Sequence, residues 1–331
     1  MIASDDSVEA EKRRACNKSI SVHRAFVYSA CAPGFGETYA GSRIRGFLTA
    51  ASFLFFFSWF TWTFIDILAD ILDLFLATLE GTKTSALPDL PVHHLIIALL
   101  GSYTIWLWAI LSSVDLAMKQ RRKSNDPPQA SVPWGVALSW FCPVSGQLYT
   151  DSRRLGYIVF CGYLAGILLT VPPYMNVFQT ISSLAKKGHL SANNPYEIVD
   201  LINEHLMKVN YSFGSLFQMI FKYFAIASTV EALKHRYLDA GAKWMKSSVI
   251  CGAVLLGTGW LCPGSGQLLQ GRNNAGWVFF VAYLSSVLFI GLTLGADFMT
   301  IGRAETLSWI STLVQWAAMI EAALWMIKHE K

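Results

Sequence analysis

Apolar residues run along this chain in blocks far longer than a soluble fold uses. Gly46 to Ile65 and Gly276 to Leu294 carry no charge at all. A helix of roughly 20 apolar residues crosses a hydrocarbon core of about 30 Å, and these runs meet that length. A soluble core hides one such helix but hardly several. The pattern predicts six spans, near 46–68, 92–117, 156–178, 213–233, 276–297 and 304–327. Three shorter apolar stretches, Ser21–Cys31, Val132–Cys142 and Val249–Cys262, are too short to cross at about 11–14 residues. They are expected to be re-entrant or interfacial helices, each broken by Pro and Gly. The expected fold is an all-α membrane protein.

Polar positions carry an internal repeat. From their proline onward, PGFGETYAGSRIRGF at Pro33, PVSGQLYTDSRRLGY at Pro143 and PGSGQLLQGRNNAGW at Pro263 align without gaps. Gly36, Gly146 and Gly266 fall three residues after the proline, and Glu37, Gln147 and Gln267 fall four after it. Tyr39, Tyr149 and Leu269 follow at six, then Gly46, Gly156 and Gly276 at thirteen. Each copy continues into a long apolar helix, a loop and a second apolar helix. That second helix ends in an acid near alanine and then in basic residues: Asp115, Glu231 and Glu321 hold these places. The division expected is a polar tail 1–18, membrane repeat 19–123, linker 124–130, repeat 131–243 with an extramembrane loop 179–211, and repeat 244–331.

Charge then orients the spans. Motif loops, linkers between repeats and the two termini hold twenty of the 26 Lys and Arg. Positive charge stays on the cytoplasmic side, so motifs and both termini are expected inside and the loops within repeats outside. Two crossings per repeat make the three copies parallel, unlike the inverted repeats of many transporters. The tail Met1–Asn17 is polar and lacks the apolar run of a cleavable signal, which also expects it in the cytoplasm. In the long outer loop, Asn194, Pro195 and Glu197 form a helix start. Ile198, Leu201, Ile202, Leu206 and Val209 make its apolar stripe, expected to lie on the outer membrane surface or the bundle, with partner binding as the other reading.

Composition agrees. Only 15% of the 331 residues are charged, against about 25% in soluble domains, and 53% are apolar. The net charge of +4 is scattered among the spans, which excludes a nucleic-acid surface. The partner expected first is the lipid bilayer, then other membrane proteins or a second copy. Six cysteines without a CxxC pair offer no zinc framework or disulfide scaffold, and no cofactor is expected.

Candidate chemistry is sparse. The glycine-rich turns lack the Gly-Lys-Ser/Thr of a phosphate loop. They read as tight turns where backbones approach closely, with lipid headgroups at Arg43, Arg45, Arg153, Arg154 and Arg272 as the other reading. Cys31, Cys142 and Cys262 read as small packing residues, or as thiols converging on a soft metal if the copies close around an axis. Asp66, Asp70 and Asp73 share one helix face, with His93 and His94 starting the next span at the same level. This set reads as a solvated face, or as a site for a divalent cation or proton relay. Lys222 interrupts an apolar span, where a charge is costly unless it is paired or faces a cavity. No nucleophile elbow, HExxH or triad spacing is present, and no enzyme is expected.

The motif resembles the TM2-type family of small membrane proteins and related bacterial families of unknown function. The residues that carry it are Pro33-Gly34-Phe35-Gly36 with Tyr39 and Gly41, Pro143 to Gly146 with Tyr149, and Pro263-Gly264-Ser265-Gly266 with Gly271. The pattern departs in two ways: no Arg-Phe pair precedes the tyrosine, and the third copy has leucine there. The resemblance implies membrane residence and scaffolding, with no chemistry to carry over. The expected function is a non-enzymatic scaffold or accessory subunit of a membrane complex. The rival is a small transporter or channel with a polar path near Lys222 and the repeat-end acids.

Overall fold

The computed structural model describes residues 20–79, 91–124, 131–186, 209, 212–239, 248–295 and 298–329. These residues are helical, with no strand among them. One order of elements occurs three times. It begins with α1 (Val22–Cys31), α2 (Phe35–Tyr39), α3 (Arg43–Leu79) and α4 (Val92–Lys123). It continues with α5 (Val132–Phe141), α6 (Ser145–Tyr149), α7 (Arg153–Lys186) and α8 (Phe213–Asp239). It ends with α9 (Ser248–Leu261), α10 (Ser265–Leu269), α11 (Asn273–Gly295) and α12 (Ile301–His329).

Six of these helices are long and apolar enough to cross a membrane, and each overlaps one predicted span. Helix α3 runs for 37 residues, about 55 Å at 1.5 Å per residue, so it outruns a hydrocarbon core. Its membrane-length part is Arg43–Asp70, which leaves Asp73 beyond it. Helix α7 continues through Pro172 and Pro173 without ending.

The short helices α1, α5 and α9 hold 10, 10 and 14 residues, below spanning length. Proline stops them. Clash with the proline ring drives the preceding residue out of the helical region. Accordingly Ala32 before Pro33 and Cys142 before Pro143 are extended, at φ −147° and −140°. Each short helix packs on the second long helix of its own set: α1 on α4, α5 on α8, α9 on α12.

The sets join in chain order. Helix α4 packs on α6 and α7 of the following set, and α8 packs on α10 and α11. The main core lies along these junctions, around Leu107, Ile110, Leu138, Tyr149, Ile226 and Leu233. Helix α12, last in the series, exposes Trp309, Leu313, Trp316, Ile320, Leu324 and Ile327. The polar tail and most of the outer-loop helix at Asn194–Val209 lie outside the described residues. Val209 itself is buried.

Candidate functional site

Each motif folds into the same three hydrogen-bonded turns. Phe35, Ser145 and Ser265 donate their N–H to Ala32, Cys142 and Cys262 respectively. Ser42, Ser152 and Arg272 donate to Glu37, Gln147 and Gln267, and Gly46, Gly156 and Gly276 close the set. Gly34 (φ 94°) and Gly264 (φ 91°) take the left-handed conformation that side chains disfavour. A Cβ on either would meet the carbonyl oxygen of Gly46 or Gly276 at 2.2 and 2.1 Å. The glycine thirteen residues past the proline therefore lets the turn rest backbone to backbone on the long helix that follows. The motif tyrosine anchors the turn to the short helix before it. Tyr39 and Tyr149 accept the N–H of Ser21 and Ser131 at 3.2 and 3.0 Å.

The residue after the third-place glycine points at the second long helix. Gln147 Nε2 donates to the Ala225 carbonyl at 2.7 Å and to Ser228 Oγ at 2.9 Å. Gln267 Nε2 donates to the Ala318 carbonyl at 2.6 Å and to Glu321 Oε2 at 3.1 Å. Glu37 holds this place in the first set. It is fully buried, and neither carboxyl oxygen has a hydrogen-bond partner. The alignment marked Glu37 as the odd member; only the structure shows it left without the bond its counterparts make.

The motif glycines also fix which second-helix residues correspond. A Cβ on Gly36 would meet Ser113, one on Gly146 Thr229, and one on Gly266 Ala322. Asp115 and Glu231 therefore match, each two residues past these contacts. Glu321 does not match them: it holds the place of Ser112 and Ser228, about a turn earlier. The expected three-way equivalence of these acids does not hold, because the motif contact sets the register and the neighbouring alanines do not.

Asp115 is nearly buried, pairs with Lys119 one turn on, and lies 3.4 Å from Arg153 of the next motif. Glu321 pairs with Arg272 of its own motif. Glu231 is half-buried. The residue ten past the proline reaches back across both junctions, Arg153 to Asp115 and Asn273 to Lys234, whose Nζ donates to Asn273 Oδ1 at 2.6 Å. Arg122 of α4 also pairs with Asp151, which sits at φ 70° where the other motifs have Gly41 and Gly271.

Two features of the junctions went unread in the sequence. The Tyr103 and Tyr163 hydroxyls lie 3.1 Å apart, and those of Tyr223 and Tyr283 lie 3.3 Å apart at the next junction. Tyr163 and Tyr283 both fall twenty residues after their motif proline (143 to 163, 263 to 283), which is the signal that would have found them. His23 of α1 stacks on Trp134 with ring centres 4.5 Å apart and lies 3.3 Å from the Tyr149 hydroxyl. Burial and the Arg121 guanidinium hold the His23 imidazole below its ordinary value.

The metal readings find no support in the geometry. Cys142 and Cys262 are buried with their thiols toward the Leu107 and Tyr223 carbonyls, while Cys31 is exposed. Asp66, Asp73, His93 and His94 are exposed, and Asp70 is half-buried. His94 meets α3 beside Trp59, about 10 Å along that helix from Asp66. Among the described residues, no three of His, Cys, Asp and Glu gather as a metal site would need.

Lys222 lies in a cavity of about 240 Å³ with Trp140, Tyr163, Ser215, Gln218 and Tyr223 among its walls. Its Nζ sits 3.7 Å from the centre of the Trp140 ring.

Six membrane-length apolar helices in an all-α arrangement define a multi-pass membrane protein. Residues 253–330, from α9 to α12, match a family of unknown function, DUF6677. No curated protein and no solved structure matches the chain.

Proposed function

We propose that the chain is a non-enzymatic membrane scaffold or accessory subunit, built from three parallel repeats that present a helical face to another membrane protein or a second copy. The observation that carries this reading is where the polar groups of the bundle go. At both junctions they bond to one another: Tyr103 to Tyr163, Asp115 to Arg153, Tyr223 to Tyr283 and Lys234 to Asn273. Within a membrane, such contacts act as glue between helices. A passage would instead leave its polar groups facing a lumen.

The partner face in this reading is α12. It stands where α4 and α8 each receive the following motif, and its row of large apolar residues from Trp309 to Ile327 is exposed. A photoreactive phenylalanine analogue in place of Trp316, activated in native membranes, tests this. A protein adduct of discrete mass supports the scaffold reading, and labelling of lipid alone removes it. The rival, a transporter or channel, has the Lys222 cavity in its favour. Ion flux in proteoliposomes that is lost on Lys222→Met would replace the scaffold reading with it.

A further inference from the structure

Lys222 lies near the middle of the candidate span Phe213–Lys234, about 14 Å along the helix from Phe213. At that depth a charged side chain needs a partner or a polar cavity. The ammonium has three N–H groups to give. The Trp140 face engages one side of it. No carboxylate among the described residues is within ion-pair distance of Lys222.

The surroundings narrow what would satisfy it. Around Lys222 the cavity walls are the rings of Trp140, Tyr163 and Tyr223 with Met219. The Tyr163 and Tyr223 hydroxyls are already paired with Tyr103 and Tyr283. Gln218 gives its amide to Thr170 at 2.8 Å, and Ser215 gives its hydroxyl to the Val209 carbonyl at 2.9 Å. The ammonium is then the strong donor facing the cavity, whose walls mix three rings and Met219 with the polar side chains of Ser215 and Gln218. Ser215, Gln218 and Lys222 lie along one face of α8, so the cavity runs from near the start of that helix to mid-span.

We infer that this cavity binds a monocarboxylate carried on an apolar chain, with the carboxylate on Lys222 and the first methylenes against Trp140, Tyr163 and Tyr223. A volume of about 240 Å³ has room for roughly eight heavy atoms at ~30 Å³ each, a carboxylate and the first methylenes, and the open side of the cavity leaves the rest of a longer chain outside. One lysine neutralises one negative charge, so a dianionic headgroup would bury a charge left over. Short, strong charge-assisted hydrogen bonds to the carboxylate supply the affinity, and the rings select the chain.

The test uses the purified full chain in a neutral maltoside detergent, with radiolabelled decanoate as probe. Saturable binding of one decanoate per chain is expected, with decanol and acetate at least about tenfold weaker. Lys222→Met should weaken decanoate at least about tenfold, whereas Lys222→Arg keeps it within a few-fold. Decanol binding as tightly as decanoate overturns the inference, as does a folded Lys222→Met that binds like the parent. Should Lys222→Met not elute as a folded protein, the comparison of decanoate with decanol on the unaltered chain decides alone. Mass spectrometry of the lipids that co-purify separates the sources. A free fatty acid lost on Lys222→Met supports the carboxylate site, and an anionic phospholipid that decanoate does not displace overturns it.

Discussion

The hydroxyls of Tyr103 and Tyr163 meet at 3.1 Å where α4 packs on α7, and Tyr223 and Tyr283 repeat the contact where α8 packs on α11. Tyr163 is buried and the other three are half-buried at these junctions. Interhelical hydrogen bonds of this kind contribute modestly, because alternative partners exist when the helices are apart. A double-mutant cycle of Tyr103→Phe and Tyr163→Phe should give a coupling of about 0.5–1 kcal/mol in detergent melts. Additive losses would mean the two hydroxyls do not depend on each other.

The motif glycines are not equally demanding. A Cβ on Gly146 would lie 1.8 Å from Ser139 Oγ and 2.6 Å from Thr229 Oγ1, which themselves hydrogen-bond at 2.9 Å. On Gly266 the nearest atom stands 3.3 Å away. Gly146→Ala should lower the yield of folded protein and the Tm, by about 1–3 kcal/mol if overpacking is the cause. Gly266→Ala should stay close to the parent. Size-exclusion recovery and thermal melts measured side by side check the contrast, and equal tolerance at both sites would contradict it.

Glu37 stands where Gln147 and Gln267 give an N–H to a second-helix carbonyl. Ala109, four residues before Ser113, holds the place of Ala225, and Glu37 makes no hydrogen bond to its carbonyl. Glu37→Gln restores the donor and should raise stability by about 1 kcal/mol. Glu37→Leu, which fills the space without a donor, separates a hydrogen-bond gain from simple loss of a buried acid. The idea fails if Glu37→Gln melts no higher than the parent.

His23 ties α1 to α5 through Trp134 and carries a depressed proton affinity, from burial first and Arg121 second. The unfolded chain therefore takes up a proton before the folded one does. Stability from this contact is full above pH 6.5, the ordinary imidazole value, and falls as the pH drops toward the lower folded value. Melts between pH 7.5 and 5.5, an interval of about two units around the ordinary value, should show a decline that His23→Gln flattens. Greater stability of the unaltered protein at the acid end would reverse the sign and refute the assignment.

The distribution of Lys and Arg predicts an orientation, with the motifs and both termini inside. Single cysteines at Ser124, Asn193 and Lys331, in a chain stripped of its own cysteines, report on it. Only the one at Asn193 should react with an impermeant reagent from outside. Outside labelling at Ser124 would mean that a short helix spans, and the parallel arrangement would be lost.

The spans were legible because a hydrocarbon core leaves a mark no soluble fold mimics: Gly46 to Ile65 and Gly276 to Leu294 had to be membrane-length helices. The motif turns were legible because Pro33, Pro143 and Pro263 stop helices by covalent geometry. The junctions were legible only in part: the repeat-end acids and the motif arginines share a membrane level, which points to a pair such as Asp115 with Arg153, but nothing local brings Tyr103 to Tyr163. Glu321 was misplaced for a related reason. Its alanine neighbours mimic those of Glu231, but the contact of Gly266 with Ala322 sets a different register. The Asp66–Asp73 set shares a face by helical spacing, yet spacing along α3 says nothing about where His94 meets it.

Because α4 receives the second motif and α8 receives the third, each new portion of chain docks on a surface that the ribosome has already delivered. Synthesis from the amino terminus, with earlier portions folding first, suits this order of contacts. A chain cut short after α8 keeps the α4 junction complete and leaves Tyr223 and Lys234 waiting for Tyr283 and Asn273. A chain that begins at α5 loses the surface on which its first motif lands, leaving Arg153 and Tyr163 without the partners that receive them. Biogenesis of this bundle therefore has a direction: each set of helices is received by a surface made before it.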